Sequence, residues 1–356
     1  MSGSKDEIRG FSKGKVVNAR WRIVGKLGEG GMGAVYKVED KNRKKFLAAM
    51  KVEDDEIEGG VIKLEVFILQ KLQPMKDTIR LYDFGKRKKY SFMVMSLLGK
   101  DLMMLKRKAG KQLSESTILR VAVSTLYAIK QVHEIGYVHR DIKPGNFLIG
   151  TVGREKRIMY LIDFGMARSF VAKDEATGKL AIRKPRDGEQ LFRGTPRYCS
   201  VNTHHGKEQG RVDDLWSWFY MLIDLYIDLP WGGLSDEKVI CILKEECPPK
   251  GLIRVREKTC PEEFHKIYQY LKTLKYEDRP DYYGLFSECS AGLKRVRGSF
   301  LDRYEWEIEP CDGVDTALSA SEDEMKNHKP SRRSKIAQKT YPFASTAVFK
   351  ENILKL

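Results

Sequence analysis

The sequence predicts an α+β fold on three observations. Short apolar runs with turn signals between them fill the stretch from Trp21 to about Met95, one apolar helix is set among those runs, and helical periodicity dominates the remainder of the chain. A chain of 356 residues suits one large domain in two lobes or two ordinary domains. Hydrophobic residues make up 42% and charged residues 32%, enough apolar surface for a sizeable core and too much for wholesale disorder. No apolar run approaches transmembrane length, and Met1–Lys15 lacks both a signal-peptide apolar region and a myristoylation start, so a soluble intracellular protein is expected. Six cysteines lie scattered without a CxxC pair, which argues for reduced structural thiols and against a disulfide framework or a zinc site. A net charge of +16 favours anionic partners, although any single Lys/Arg cluster is as readily a solvated face.

At the N-terminus, residues 1–20 read as a polar, poorly ordered lead-in. Trp21–Leu27 is a strand that enters Gly28–Glu29–Gly30–Gly31–Met32–Gly33–Ala34–Val35, a GxGxxGxV pattern whose glycines let backbone amides approach phosphates. By itself that pattern also fits an ordinary glycine hairpin or a dinucleotide-binding turn. A dinucleotide turn opens a helix, whereas here Val35–Glu39 continues as strand and Phe46–Val52 returns. Val61–Leu72 is apolar nearly all round and reads as a buried helix, interrupted by Glu65. A carboxylate embedded there wants a cation, and Lys51 on the returning strand is the candidate. Strands come next at Ile79–Gly85 and Tyr90–Met95, and Ser96–Gly99 reads as a connector whose backbone could meet a planar base.

The rest is helical. Ser114 is a predicted N-cap for Glu115–Glu134, with Gly136 as the C-terminal stop. Lys173–Gln190 is a polar insertion expected to be a mobile loop. Asp213–Asp228 is hydrophobic on every face and should be a buried helix, where Asp214 needs backbone donors to tolerate burial. Further helices are predicted at Asp236–Glu246, Pro261–Leu274 and Tyr282–Val296. Beyond Ser299 an acidic and then a basic stretch low in core formers reads as a tail over 301–356.

Between the first two long helices of this half lies the densest chemistry, Tyr137–Val138–His139–Arg140–Asp141–Ile142–Lys143–Pro144–Gly145–Asn146, followed by Leu161–Ile162–Asp163–Phe164–Gly165. An acid, a base and an amide at short fixed offsets, with a second acid downstream, match HRDxKxxN and DFG. Any one of these residues alone would be an ordinary loop residue; the full set at this spacing is not.

On these motifs the chain resembles protein kinases, and more narrowly the casein kinase 1 superfamily. Gly194–Thr195–Pro196–Arg197–Tyr198–Cys199–Ser200–Val201–Asn202 is similar to that superfamily's segment, with SVN where most kinases carry APE; Leu98–Gly99 and Leu229–Pro230–Trp231 fit as well. Leu64–Glu65–Val66, Phe192–Arg193–Gly194–Thr195, Asp213–Asp214–Leu215–Trp216–Ser217 and Tyr276–Glu277–Asp278–Arg279–Pro280–Asp281–Tyr282 look most like the tau-tubulin kinase branch. The resemblance implies a bilobal fold over 21–300, with an N-lobe at 21–95, a hinge at 96–99 and a C-lobe at 100–300. It also implies a serine/threonine kinase using ATP and Mg2+ on protein substrates, with Asp141, Lys143, Asn146 and Thr195 as catalytic residues and Asn146 and Asp163 as metal ligands.

Carried over by position, the nucleotide would meet Leu27, Gly28, Gly30, Gly33, Val35, Ala49, Lys51, Glu65, Met95, Leu97, Leu98 and Leu148. Arg193 and Arg197 would form a substrate anion site. Two departures fall near the substrate groove: Pro196 replaces a small or branched apolar residue, and Ser235 replaces a lysine. They leave substrate preference open and the catalytic set intact. The expected protein is a cytoplasmic monomer, with the nucleus as a second location and no specific nucleic-acid partner. A pseudokinase-type scaffold is the alternative; such proteins usually lose Lys51, Asp141, Asn146 or Asp163, and this chain keeps all four.

Overall fold

The structure is a computed structural model that describes residues 10–30, 33–54, 60–110, 112–247, 249–255, 258–308 and 347–356. An antiparallel sheet comes first, built from β1 (Val16–Val17), β2 (Trp21–Gly30), β3 (Gly33–Asp40), β4 (Leu47–Asp54), β5 (Leu81–Lys86) and β6 (Tyr90–Ser96), in the order β1-β2-β3-β4-β6-β5. The alternation of β3, with Ala34, Tyr36 and Val38 buried, puts one face on a core shared with Trp21, Met50, Val52 and Phe92. The end of the lead-in joins that core: Phe11 stacks on Tyr36 with ring centroids 5.5 Å apart, and Val17 pairs with Trp21. The rest of the lead-in lies outside the described residues.

Helix α1 (Ile62–Leu72) packs against the sheet, and its first backbone N–H groups are taken up by a strand residue. Glu53 of β4 accepts from the N–H groups of Val61 and Ile62, each at 2.9 Å, so a carboxylate sits at the positive end of the helix.

The larger lobe contains α2 (Leu102–Ala109), α3 (Glu115–Glu134), α4 (Val201–His204), α5 (Arg211–Tyr226), α6 (Glu237–Glu246), α7 (Pro249–Ile253), α8 (Glu263–Thr273) and α9 (Tyr282–Arg295). Ser114 caps α3 by accepting from Thr117 N–H, and Gly136 lies just past its end at φ +85°. Helices α3 and α5 cross through the middle, with Leu119, Val123, Leu126, Trp218, Phe219 and Leu222 removed from solvent.

Two features go beyond the sequence reading. Within the polar insertion, β11 (Val171–Lys173) pairs with β12 (Leu180–Ile182) as a hairpin. Just past it, Arg183 and Arg186, together with Arg168, converge on Glu208, whose side chain is 1% exposed. A buried carboxylate needs such compensation, and supplying it anchors the insertion.

Within the segment read as a tail, two described pieces pack on the C-lobe. Tyr304 and Trp306 are buried and stack with centroids 4.4 Å apart. Helix α10 (Ala347–Lys350) inserts Phe349, which stacks on Phe286 at 4.4 Å. The intervening residues 309–346 lie outside the described part.

Candidate active site

Two short ribbons hold the catalytic loops at both ends. β7 (Tyr137–Val138) pairs with β10 (Arg168–Ser169), and β8 (Phe147–Ile149) pairs with β9 (Met159–Leu161), so residues 139–146 and 162–167 leave and re-enter fixed strands. Asp214, at the start of α5, accepts from the N–H groups of His139 at 2.7 Å and Arg140 at 2.8 Å, and hydrogen-bonds the His133 ring at 2.9 Å. These are the backbone donors its burial demanded, and with the His133 ring they hold its carboxyl below the usual range despite desolvation. The turn they stabilise is strained, with Arg140 at φ +68°, and the second loop has a matching strain at Asp163, φ +65°. Both sit where the predicted chemistry is.

Asp141 is buried, and its carboxylate is the centre of a small polar group. Thr195 Oγ donates to Asp141 Oδ1 at 2.7 Å, Lys143 Nζ lies 2.6 Å from Asp141 Oδ2 and 3.3 Å from Thr195 Oγ, and the Asn146 side chain donates to Asp141 O at 2.8 Å and to Oδ2 at 3.2 Å. All four predicted catalytic residues therefore meet in one contact group around Asp141. Asn146 uses its NH2 group inward, leaving its carboxamide oxygen as an acceptor.

Across the cleft, Lys51 of β4 forms an ion pair with Glu65 of α1 and lies 3.9 Å from Asp163 Oδ1. Burial pulls Lys51 down, but the Glu65 and Asp163 carboxylates outweigh it and raise it above its ordinary value. Burial pushes Glu65 up to about 7 against the pull of Lys51. Phe164 turns inward, buried, with its ring 5.3 Å from that of His139.

The predicted nucleotide residues line up along the strands that frame this cleft. Lys51 is in register with Val35 on β3 and Met93 on β6, and Ala49 faces Met95. Leu97 and Leu98 are half-buried in the connector, which Gly99 ties to β8 by donating to Ile149 O at 2.7 Å. Leu148 bridges to Asp101, and Leu27 is exposed at the lip. In the glycine loop, Gly28 pairs with Val35 and Gly30 with Gly33, while Gly31 and Met32 lie outside the described residues. Gly33 has a packing reason of its own, since a Cβ there would sit 1.9 Å from Val52 O.

The oxygen donors of Asn146 and Asp163 are of the hard type that suits a divalent cation such as Mg2+, and Lys51 supplies a charge for phosphate oxygens. The residues present thus fit a nucleotide and its metal.

The two arginines predicted to read an anion have different surroundings. Arg197 turns onto Asp224, with Nη2 2.7 Å from one carboxylate oxygen, while the Tyr198 hydroxyl donates to the other. Arg193 is exposed, and its carbonyl accepts from the Gln209 side chain at 2.9 Å.

One positioning residue escaped sequence reasoning. Lys244 of α6 is buried and donates to Pro196 O and Cys199 O, each at 2.6 Å, with His204 Nε2 3.1 Å away. Burial lowers it to about 8, against the pull of the Cys199 thiol. A lysine in the last turn of an amphipathic helix looks like a solvated cation favoured by the helix dipole, so nothing in the sequence marked it.

Ser200 and Asn202, the polar members of SVN, donate to Asp213 at 2.6 and 3.3 Å, fastening the end of the same segment to α5.

The family profile described as Protein kinase domain matches residues 21–285. A Caenorhabditis elegans protein named as a putative serine/threonine-protein kinase is 40% identical over 298 residues, covering 83% of this chain and 84% of the relative. A Dictyostelium discoideum protein named as a probable one is 37% identical over 311 residues, covering 86% of this chain and 60% of the relative. Casein kinase I homolog 3 of Schizosaccharomyces pombe is 31% identical over 311 residues, covering 83% of this chain and 67% of the relative. The chain belongs to the protein kinase family as a serine/threonine kinase, with casein kinase I homologues among its relatives.

Proposed function

We propose that this kinase transfers the γ-phosphoryl group of Mg-ATP to serine or threonine of protein substrates, acting as a monomer of the tau-tubulin kinase-like branch. The observation that carries the reading is the contact group of Asp141, Lys143 and Thr195, together with Lys51 held beside Asp163. Asp141 orients the substrate hydroxyl and accepts its proton; Thr195 and Lys143 hold the carboxylate in place for that. Lys143 faces the phosphoryl group in transit, and Lys51, braced by Glu65, holds the phosphates on the other side. Magnesium held by Asn146 and Asp163 would compensate charge on the phosphate oxygens. No observation favours the scaffold alternative.

Substrates with acidic or phosphorylated residues near the target are preferred modestly in this reading. Arg197 offers a guanidinium whose Nε is buried with no partner among the described residues, but Nη2 on the same edge is already bound to Asp224, and Ser235 adds no charge. The test is to phosphorylate a proteome extract with purified protein and Mg-ATP, map the new sites, and use Asp141→Asn as the blank. Serine and threonine sites above that blank support the reading. Incorporation no higher than the blank overturns it.

A further inference from the structure

Away from the cleft, α4 and α6 face each other across a groove in which three groups of different chemistry converge. A ring nitrogen of His205, the Sγ of Cys241 and a carboxylate oxygen of Glu245 all lie within 4.8 Å of one another. Cys241 and Glu245 are one turn apart on α6, at i and i+4, so helix geometry points both into the groove, and His205 comes directly after the last residue of α4. We propose that His205, Cys241 and Glu245 form a binding site for a divalent cation of Zn2+ type that clamps α4 to α6.

The donor set selects the metal class. Imidazole, thiolate and carboxylate together match zinc, which takes three protein ligands plus water, and do not match magnesium or calcium, which want oxygen alone. The spacing is close to what coordination requires. His205 Nε2 and Glu245 Oε1 are 2.6 Å apart in a direct hydrogen bond. Tetrahedral ligation at about 2.0–2.2 Å separates neighbouring ligand atoms by roughly 3.3–3.5 Å, so the pair opens by under about an ångström to admit the ion.

The Cys241 side chain is half-buried in the groove, beside Glu245. A second buried group faces the same groove: His204, whose side chain is 2% exposed, has its Nδ1 3.6 Å from Glu237 and without a hydrogen-bond partner among the described residues. That nitrogen is available to a metal-bound water. Three carboxylates, Asp236, Glu237 and Glu245, and two lysines, Lys238 and Lys244, surround the groove.

The clamp has a place to act. Lys244, on the same helix as two of the ligands, holds the carbonyls of Pro196 and Cys199, and α4 begins two residues beyond Cys199. A cation joining α4 to α6 therefore stiffens the joint that carries the loop of Thr195. A search of the sequence for CxxC pairs passes over such a site because a single cysteine from one helix meets a histidine from another.

The test uses the full chain, reduced and freed of metal, titrated with Zn2+ in competition with a chromophoric zinc indicator. One equivalent should bind to wild type, and Cys241→Ser, His205→Ala and Glu245→Gln should each weaken it by about tenfold or more. Co2+ in place of Zn2+ should show a thiolate charge-transfer band that Cys241→Ser removes and Cys247→Ser keeps. Zn2+ should raise the unfolding midpoint of wild type and leave that of Glu245→Gln unmoved, a variant of unchanged shape that separates loss of binding from loss of folding. Zn2+ held as tightly by Cys241→Ser and Glu245→Gln as by wild type, or a Co2+ band that survives in Cys241→Ser, overturns the site.

Discussion

Lys51 and Glu65 stand in opposite elements and compensate each other's burial, with side chains 21% and 3% exposed. Lys51→Ala leaves a carboxylate nearly desolvated with no cation beside it, while Glu65→Gln keeps an acceptor for the lysine. The first should therefore be the more damaging of the two. A double-mutant cycle on kcat/KM should show coupling on the order of 1–3 kcal/mol. Additive effects would remove the pairing from the mechanism. Asp163 lies at the other edge of the same lysine. Its carboxylate is half-exposed, open to an ion entering the cleft, so Asp163→Ala should abolish the magnesium-dependent part of nucleotide affinity. An equal magnesium response in wild type and variant would sink that role.

At the scale of elements, α6 and the loop from Thr195 to Cys199 form one joint through Lys244. The sign of its pH dependence comes from its lowered pKa. An unfolded lysine near 10.5 binds its proton over a range where the folded one, at about 8, has lost it. Stability contributed at this site is therefore present above the unfolded value and is lost as pH falls through 10.5 toward 8. Measured as unfolding free energy, wild type should gain on Lys244→Met by roughly 1–3 kcal/mol as pH rises between those limits. A gap that does not change with pH would show that the lysine is not desolvated in solution. The same joint bears on substrate choice, because Arg197 lies within it and is tied to Asp224. With two peptides differing by one phosphoserine before the target, wild type should prefer the phosphorylated one modestly, Ser235→Lys should sharpen the preference and Arg197→Ala should flatten it. Indifference of wild type and of Ser235→Lys alike would mean that no anion is read here.

Across the whole molecule, the end of the chain returns to the lobe that carries the catalytic loop. Phe349 stacks on Phe286 and meets Tyr127 edge-on at 5.8 Å, Arg279 donates to Glu351 O at 2.7 Å, and Ile353 N–H donates at 2.6 Å to Glu134, the last residue of α3. Phe349→Ala should lower stability by less than about 3 kcal/mol, since a docked segment can detach before the lobe opens. Hydrogen exchange at the Ile353 amide should accelerate in the same variant. Unchanged exchange and an unchanged unfolding midpoint would mean that the segment is not docked in solution.

The sequence by itself determined the fold class and the chemistry of the cleft, and the physical reason is locality. HRDxKxxN, DFG and the glycine hairpin place their reacting groups within a few residues of one another, so spacing alone specifies what they can do. The helices α3 and α5 were legible for a similar reason, being long and marked by apolar runs or a clear cap. Only the tertiary structure decided that Arg197 turns to Asp224, that Lys244 holds Pro196 and Cys199, that Glu208 anchors the inserted hairpin, and that Phe349 finds Phe286. Each of these joins a single polar or aromatic residue to a partner far away in the chain. Without periodicity such a residue reads as solvated surface until folding supplies the group it meets.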